Sequence, residues 1–109
     1  MSWLQEQVLE NPQNLFIQES GHAYSVLDVA EMVQTYLKAL LREGIQTHDR
    51  IIIYLPGGIE MVEIILVCFE IGAIATPISR RMTKRERDAV IAIIQPRLII
   101  TNWTEQETF

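Results

Sequence analysis

Cysteine is nearly absent: Cys68 stands alone in 109 residues. A lone thiol excludes an internal disulfide and suits a reducing, cytoplasmic setting. Histidine is scarce too. His22 and His48 lie far apart in the chain, and no metal-ligand spacing surrounds either of them. The five glycines form neither a Gly-x-Gly-x-x-Gly nor a Walker arrangement, so the common nucleotide fingerprints are missing. Basic residues number 9 against 14 acidic ones, a net charge of −5, which argues against general nucleic-acid binding. Long apolar runs are missing as well. Glu60, Glu63 and Glu70 interrupt the longest apolar block, well short of the roughly 18 residues a membrane span needs. The opening Met-Ser-Trp-Leu-Gln-Glu has no basic or apolar signal region, so it does not read as a secretory leader.

What remains is a globular composition, 49% hydrophobic and 21% charged, at single-domain length. The stretch 49–79 organises the chain. Ile51-Ile52-Ile53-Tyr54-Leu55 is a compact apolar run, Pro56-Gly57-Gly58 breaks it, and residues 59–71 are apolar on nearly every side. A second apolar run covers 73–78. Short apolar runs bounded by breakers predict buried strands, and the longer block between them predicts a helix. Together they make a βαβ unit with parallel strands and a right-handed crossover.

The rest of the chain falls into place around this unit. Residues 3–9 suit a short helix limited by Pro12. Residues 15–18 and 23–24 flank Glu19-Ser20-Gly21-His22 and predict a β-hairpin. Ser25 and Asp28 form a capping box for an amphipathic helix that ends before Gly44. Thr83 and Glu86 form a second box, opening a helix to about residue 94, and 98–101 is a third strand. Residues 102–109 have no periodic pattern and read as a frayed end. The fold class is therefore α/β, a parallel βαβαβ core with Rossmann-like layers, preceded by a β-hairpin and an amphipathic helix. The two crossover helices are expected on one face unless the strand order reverses, with the amphipathic helix covering part of the other.

Candidate chemistry is thin. Gly57-Gly58 lies where a strand meets a helix, a place where phosphates bind, but Glu60 in the first turn opposes an anion and a tight turn explains the glycines. His22 and His48 read as surface histidines, and Cys68 as a small core residue. The Glu60, Glu63 and Glu70 edge reads as the solvent-facing rim of its helix, because unpaired buried carboxylates are costly. The least bland feature is basic. Residues 1–79 carry three bases against ten acids, and then Arg80, Arg81, Lys84, Arg85 and Arg87 crowd together. This knob follows a core strand at its carboxyl end, where α/β sheets place ligands. Arg80 or Arg81 can grip a phosphate or carboxylate there by bidentate hydrogen bonding. The bland alternative is a solvated helix start. No catalytic constellation and no metal site is read from these residues.

The stretch 44–101 resembles the amino-terminal region of the adenylate-forming superfamily, which includes acyl-CoA synthetases, luciferases and peptide-synthetase adenylation domains. That family shows Gly-x-x-x-Gly-Asp-x-Val-Ala-Ile-x-Leu-Pro-Asn-Ser-x-Glu. Gly44, Asp49, Arg50, the apolar run to Leu55, Pro56 and Glu60 match it. An apolar helix ending in Gly-Ala follows, then Pro-Leu-Asn-Pro-Arg-Leu-Thr and Glu-Leu, matched by Gly72-Ala73, Pro77, Arg81, Thr83 and Glu86. Tyr24 and Leu27 resemble the upstream Thr-Tyr-x-Glu-Leu element. Departures are Gly57-Gly58 for Asn-Ser, His48 for Gly, Arg87 for an aliphatic residue and Ala23 for Thr.

The resemblance implies an incomplete amino-terminal portion, 1–109, of a larger three-layer AMP-binding domain. The family's phosphate loop, adenine motif, ribose-binding Asp and catalytic Lys would lie further along. It implies a parent enzyme that uses ATP, Mg²⁺ and CoA to turn a small carboxylic acid into an acyl-adenylate and then a thioester. The short lead before the hairpin is most similar to the 2-succinylbenzoate–CoA ligases of quinone biosynthesis. The implied partner is the remainder of the same enzyme. The chain alone is expected to be inactive and to self-associate through uncovered apolar surface. A stand-alone α/β interaction module is the alternative.

Overall fold

A computed structural model describes residues 3–101 of the chain. The frayed end expected at 102–109 lies outside the described residues. Nine elements follow in order: α1 (Trp3–Glu10), β1 (Leu15–Glu19), β2 (His22–Ser25), α2 (Val26–Arg42), β3 (Arg50–Tyr54), α3 (Ile59–Ile71), β4 (Ile74–Pro77), α4 (Lys84–Ile94) and β5 (Leu98–Thr101).

Local chemistry sets most of the boundaries. The β1–β2 hairpin is antiparallel, and its turn residues Ser20 and Gly21 have φ of 51° and 77°, the positive values a two-residue hairpin turn requires. At the start of α2, Ser25 Oγ accepts from the Asp28 N–H at 3.1 Å and Asp28 Oδ2 accepts from the Ser25 N–H at 2.9 Å. At its end the Gly44 N–H donates to Leu41 O and the Ile45 N–H to Leu40 O. This pair of bonds is a Schellman closure, and Gly44 supplies its left-handed φ of 83°. Ile45 and Leu40 are both buried, adding the apolar contact that accompanies the motif. Thr83 and Glu86 form the second reciprocal box, at 3.1 Å each way. Those hydrogen bonds, the backbone one first, hold the Glu86 carboxyl below its usual range.

β3, β4 and β5 form a parallel sheet in the order β4-β3-β5. The middle strand is sealed on both faces: Ile51, Ile52 and Ile53 are fully buried. Side chains alternate along a strand. Ile51, Ile53 and Leu55 accordingly join α2 and α3 in one core, with Val29, Val33, Ile64 and Val67. Ile52 and Tyr54 join Ile78 and the α4 residues Val90, Ile91 and Ile94 in the other.

The strand order decides the layers. The first crossover steps from β3 out to β4, and the second steps back past β3 to β5. Two right-handed crossovers in opposite directions put their helices on opposite faces. The strand order therefore reverses, and α3 and α4 do not share a face. The expected cover for the second face is corrected too: α2 packs on α3 and α1, and α4 covers the side assigned to α2.

Two side chains depart from the sequence reading. Glu63 was expected on a solvent-facing rim with Glu60 and Glu70. It is instead buried, 3% exposed, because α2 packs along α3 and covers that edge. Arg87 was placed in the basic knob, whose bland reading was a solvated helix start, and is instead buried, because the α4 face that carries it lies on Tyr54.

Candidate functional site

Opposed crossovers have a geometric consequence. The loops leaving the carboxyl ends of β3 and β4 turn to opposite faces and leave a crevice between them, the position where open α/β sheets hold ligands. A cavity of about 260 Å³ lies there. One lip is Leu55, Pro56 and Gly57, the other is Ile78, Ser79, Arg80 and Arg81, and Met61 of α3 completes the lining.

The second lip is held in place by short-range bonds. The Ile78 N–H donates to Ile53 O at 3.0 Å, which extends the β4–β3 pairing beyond Pro77. Ser79 Oγ accepts from the Arg81 N–H at 3.0 Å, and Ser79 O accepts from the Met82 N–H at 3.3 Å. The Thr83 capping box follows at once. Arg80 and Arg81 thus sit on a tight turn between a strand end and a helix start. The structure separates the two arginines: Arg81 is exposed, whereas Arg80 is partly buried. The Arg80 guanidinium carbon lies 4.8 Å from the Tyr54 ring centroid, and that of Arg87 lies 5.5 Å from it. Arg87 Nη1 also donates to the Tyr54 hydroxyl at 3.4 Å. Sequence reasoning named Arg80 and Arg81, which both line the crevice, and did not pair either with Tyr54 or Arg87. The available signal was Arg87 itself, a cation where the resembled family has an aliphatic residue.

The first lip answers the question raised by Gly57-Gly58. The Ile59 N–H at the start of α3 donates to Glu19 Oε2 at 3.4 Å. The hairpin therefore delivers a carboxylate to the helix N-terminus, where the unpaired N–H groups and the dipole favour an anion. Gly58 has φ 86° and ψ −162°, a region open essentially to glycine, and a Cβ there would collide with the Glu19 carboxylate. Gly58 makes room for an internal anion, and Gly57, with φ 93°, belongs to the tight turn before it.

Elsewhere the candidates are structural. His22 is exposed against Tyr24, with ring centroids 4.5 Å apart, and His48 is exposed with φ 70°. Cys68 is fully buried, and burial pushes its thiol up to about 11, which suppresses the nucleophilic thiolate. Burial, then the neighbouring Glu60, pushes Glu63 up to about 7. Burial also raises Tyr36, with Glu60 and Glu63 adding to the shift. Among the described residues no group of three or more His, Cys, Asp or Glu is placed to hold a metal ion. No helix among them is long and apolar enough to cross a membrane.

Two other concavities are less suited to chemistry. A cavity of about 280 Å³ at the amino end of the sheet is lined by His48, Arg50 and Arg97. Its guanidiniums close helix ends: Arg50 Nε donates to Ile94 O at 2.6 Å and Arg97 Nη2 to Glu43 O at 3.1 Å. A concavity of about 530 Å³ between α1 and α2 is lined mainly by apolar side chains.

The fold and crevice define a doubly wound α/β unit with two arginines, Arg80 and Arg81, on one lip at its strand ends. Residues 4–108 match the family described as AMP-binding enzyme, and the chain belongs to that family. A 2-succinylbenzoate–CoA ligase from Oceanobacillus iheyensis is 27% identical over 101 residues, which is 92% of this chain and 21% of that protein. A medium-chain fatty-acid–CoA ligase from Escherichia coli is 37% identical over 59 residues, 54% of this chain and 10% of that protein. The structure of an O-succinylbenzoate coenzyme A synthetase from Bacillus subtilis in complex with AMP superimposes with a TM-score of 0.87 at 16% identity. It covers 96% of this chain and 28% of that one. The chain thus spans about a fifth or less of the length of the curated relatives it matches.

Proposed function

We propose that residues 1–109 are the amino-terminal portion of an AMP-binding domain in a longer, ATP-dependent carboxylate–CoA ligase. The whole enzyme would join a small carboxylic acid to AMP as an acyl-adenylate and then pass the acyl group to CoA as a thioester. The observation that carries this reading is the family match across residues 4–108 set beside a coverage of only 21% of a full-length ligase. The finer assignment is 2-succinylbenzoate as the acid, in menaquinone or phylloquinone biosynthesis. It is supported by the relative from Oceanobacillus iheyensis, which bears that name and aligns over 92% of this chain.

In this reading the chain supplies scaffold and one wall of the ligand region. ATP, Mg²⁺ and CoA belong to the whole enzyme. Arg80 and Arg81 fit an anionic group of substrate or cofactor at the crevice, whereas the described residues hold no acidic cluster suited to Mg²⁺. The remainder of the enzyme is the natural partner, and a cytoplasmic setting goes with the buried free thiol of Cys68.

The test is to read the coding sequence beyond Phe109 and assay the longer product. Continuation into a Gly-rich Ser/Thr loop followed by Lys, with acid-dependent pyrophosphate release and thioester formation, supports the reading. A stop after Phe109, with no adenylating activity restored by any co-expressed partner, refutes it and leaves a stand-alone α/β interaction module. Thioester formation with a fatty acid but not with 2-succinylbenzoate would keep the class and remove the finer assignment.

A further inference from the structure

The groove between α1 and α2 shares no lining residue with the crevice at the strand ends. α1 packs on α2, with Leu4 as its buried anchor. Val8, one turn further on, and Ala30 of α2 lie half-buried against the same core. A space of about 530 Å³ lies between the helices, with Val8 and Leu9 on one wall and Leu27, Ala30, Glu31 and Gln34 on the other. Residues three and four apart share a helix face, so each wall is a single stripe of its helix. The α2 stripe from Leu27 to Gln34 runs for about 10 Å, two helical turns. Its central apolar residue is Ala30, whose methyl group leaves the floor open. Leu9 is 70% exposed although it stands on this apolar wall.

Charge selects the occupant. Residues 3–37 hold five acidic side chains and no lysine or arginine, and the first base is Lys38. Two of the five are engaged elsewhere, Glu19 at the start of α3 and Asp28 in the Ser25 box. The other three, Glu6, Glu10 and Glu31, are exposed. Glu31 lines the groove, Glu10 follows Leu9, and Glu6 stands one turn before it. An apolar floor with a negative rim complements an amphipathic helix whose apolar stripe is flanked by Lys or Arg. The same rim disfavours three other occupants. Residues 102–109 carry Glu105 and Glu107 and no base. An anionic lipid surface is repelled, and so is the identical face of a second copy. We infer that the α1–α2 groove is a docking site for a basic amphipathic helix of a partner protein. Apolar side chains one turn apart on that helix enter over Ala30 and against Leu9, and its bases face Glu6, Glu10 and Glu31. A floor of two turns is smaller than the interface of a stable complex, so the contact is transient.

The test uses two fluorescently labelled designed helical peptides with one leucine stripe, flanked by lysines in the first and by glutamates in the second. Each is titrated with the full chain and followed by fluorescence anisotropy. The lysine-flanked peptide should bind tighter by about tenfold or more, and added salt should narrow the gap. Leu9→Gln and Glu31→Lys should each weaken it by about fivefold or more. Both residues are exposed, so neither change threatens the fold. Glu43→Lys makes the same change in net charge at the exposed far end of α2, and Ile93→Gln removes an apolar side chain 83% exposed on α4. Both controls should leave binding within about twofold of the wild type. Equal affinity for the two peptides, or equal losses in Glu31→Lys and Glu43→Lys, overturns the inference. Two further results overturn it by naming another occupant. Displacement of the peptide by phosphatidylserine vesicles but not by phosphatidylcholine vesicles would assign the groove to a lipid surface. Loss of the chain's own self-association in Leu9→Gln, read by sedimentation, would assign it to a second copy.

Discussion

Replacing Glu63 with Gln tests the packing of α2 on α3 through a single proton. Glu63 is 3% exposed, and its carboxyl is pushed from an ordinary 4.5 up to about 7 by burial first and by Glu60 second. Tyr36 of α2 and Glu60 of α3 are the titratable groups that sense it. Neither is a cation, so nothing in that set favours the ionised form. In the unfolded chain Glu63 ionises near its ordinary value. Between that value and about 7 the folded state therefore holds more protons than the unfolded state. Stability attributable to this group is full below the unfolded pKa, falls as pH rises through the window, and levels off above about 7. Each tenfold change in the protonation equilibrium is worth about 1.4 kcal/mol. The displacement thus caps the penalty for the ionised form at roughly 3 kcal/mol, and water reaching the carboxyl reduces it to about 1–2 kcal/mol. Glutamine has nearly the shape of the protonated acid and never ionises. Glu63→Gln should match the wild type near pH 5 and exceed its stability by about 1–2 kcal/mol near pH 8. Urea unfolding at both pH values, followed by circular dichroism, measures the difference with other titrations cancelling between the two proteins. Equal midpoints near pH 8, or a larger gain near pH 5 than near pH 8, would refute the burial argument.

Three further expectations follow from local geometry. Gly58→Ala should destabilise the chain by about 2–4 kcal/mol in urea unfolding, because the backbone there is glycine-only and the new methyl would drive Glu19 off the α3 terminus. His48→Gly should stabilise it by about 0.5–1 kcal/mol with an unchanged denaturant slope, because His48 sits at φ 70° and a side chain is strained in that region. The isolated chain should self-associate in sedimentation and bind a hydrophobic dye, since Phe69 is 72% and Ile93 83% exposed and β4 and β5 present sheet edges. A dye-silent monomer would contradict the last of these.

The sequence carried the local half of this fold because that half is made of short-range bonds. Ser25 with Asp28, Thr83 with Glu86, and Leu40 with Gly44 and Ile45 each act within a few residues. Their positions alone were enough to place two helix starts and one helix end. The burial of Glu63 was not legible by the same means. Glu60 and Glu63 lie one turn apart on a helix, and that spacing reads equally well as a rim or as a buried edge. Which it is depends on where α2 lies, and α2 contacts α3 across a strand and two loops. Arg87 misled for the same reason: its partner Tyr54 is 33 residues away, and only the placement of α4 brings them together.

Strand order links the Arg87 error to the site. Had the second crossover continued outward past β4, α4 would have joined α3 on one face. Arg87 would then have faced away from Tyr54, and the loops after β3 and β4 would have left on the same side with no crevice between them. Reversal past β3 buries Arg87 against the ring, stacks Arg80 beside it, and opens the cavity that Arg80 lines. The basic cluster that looked like a solvated helix start is thus divided by the topology. Lys84 and Arg85 remain in solvent, while Arg80 and Arg87 are turned toward the carboxyl end of the sheet. This division of the cluster comes from one choice of strand order, and that choice is made by the packing of the whole sheet rather than by any residue within the cluster.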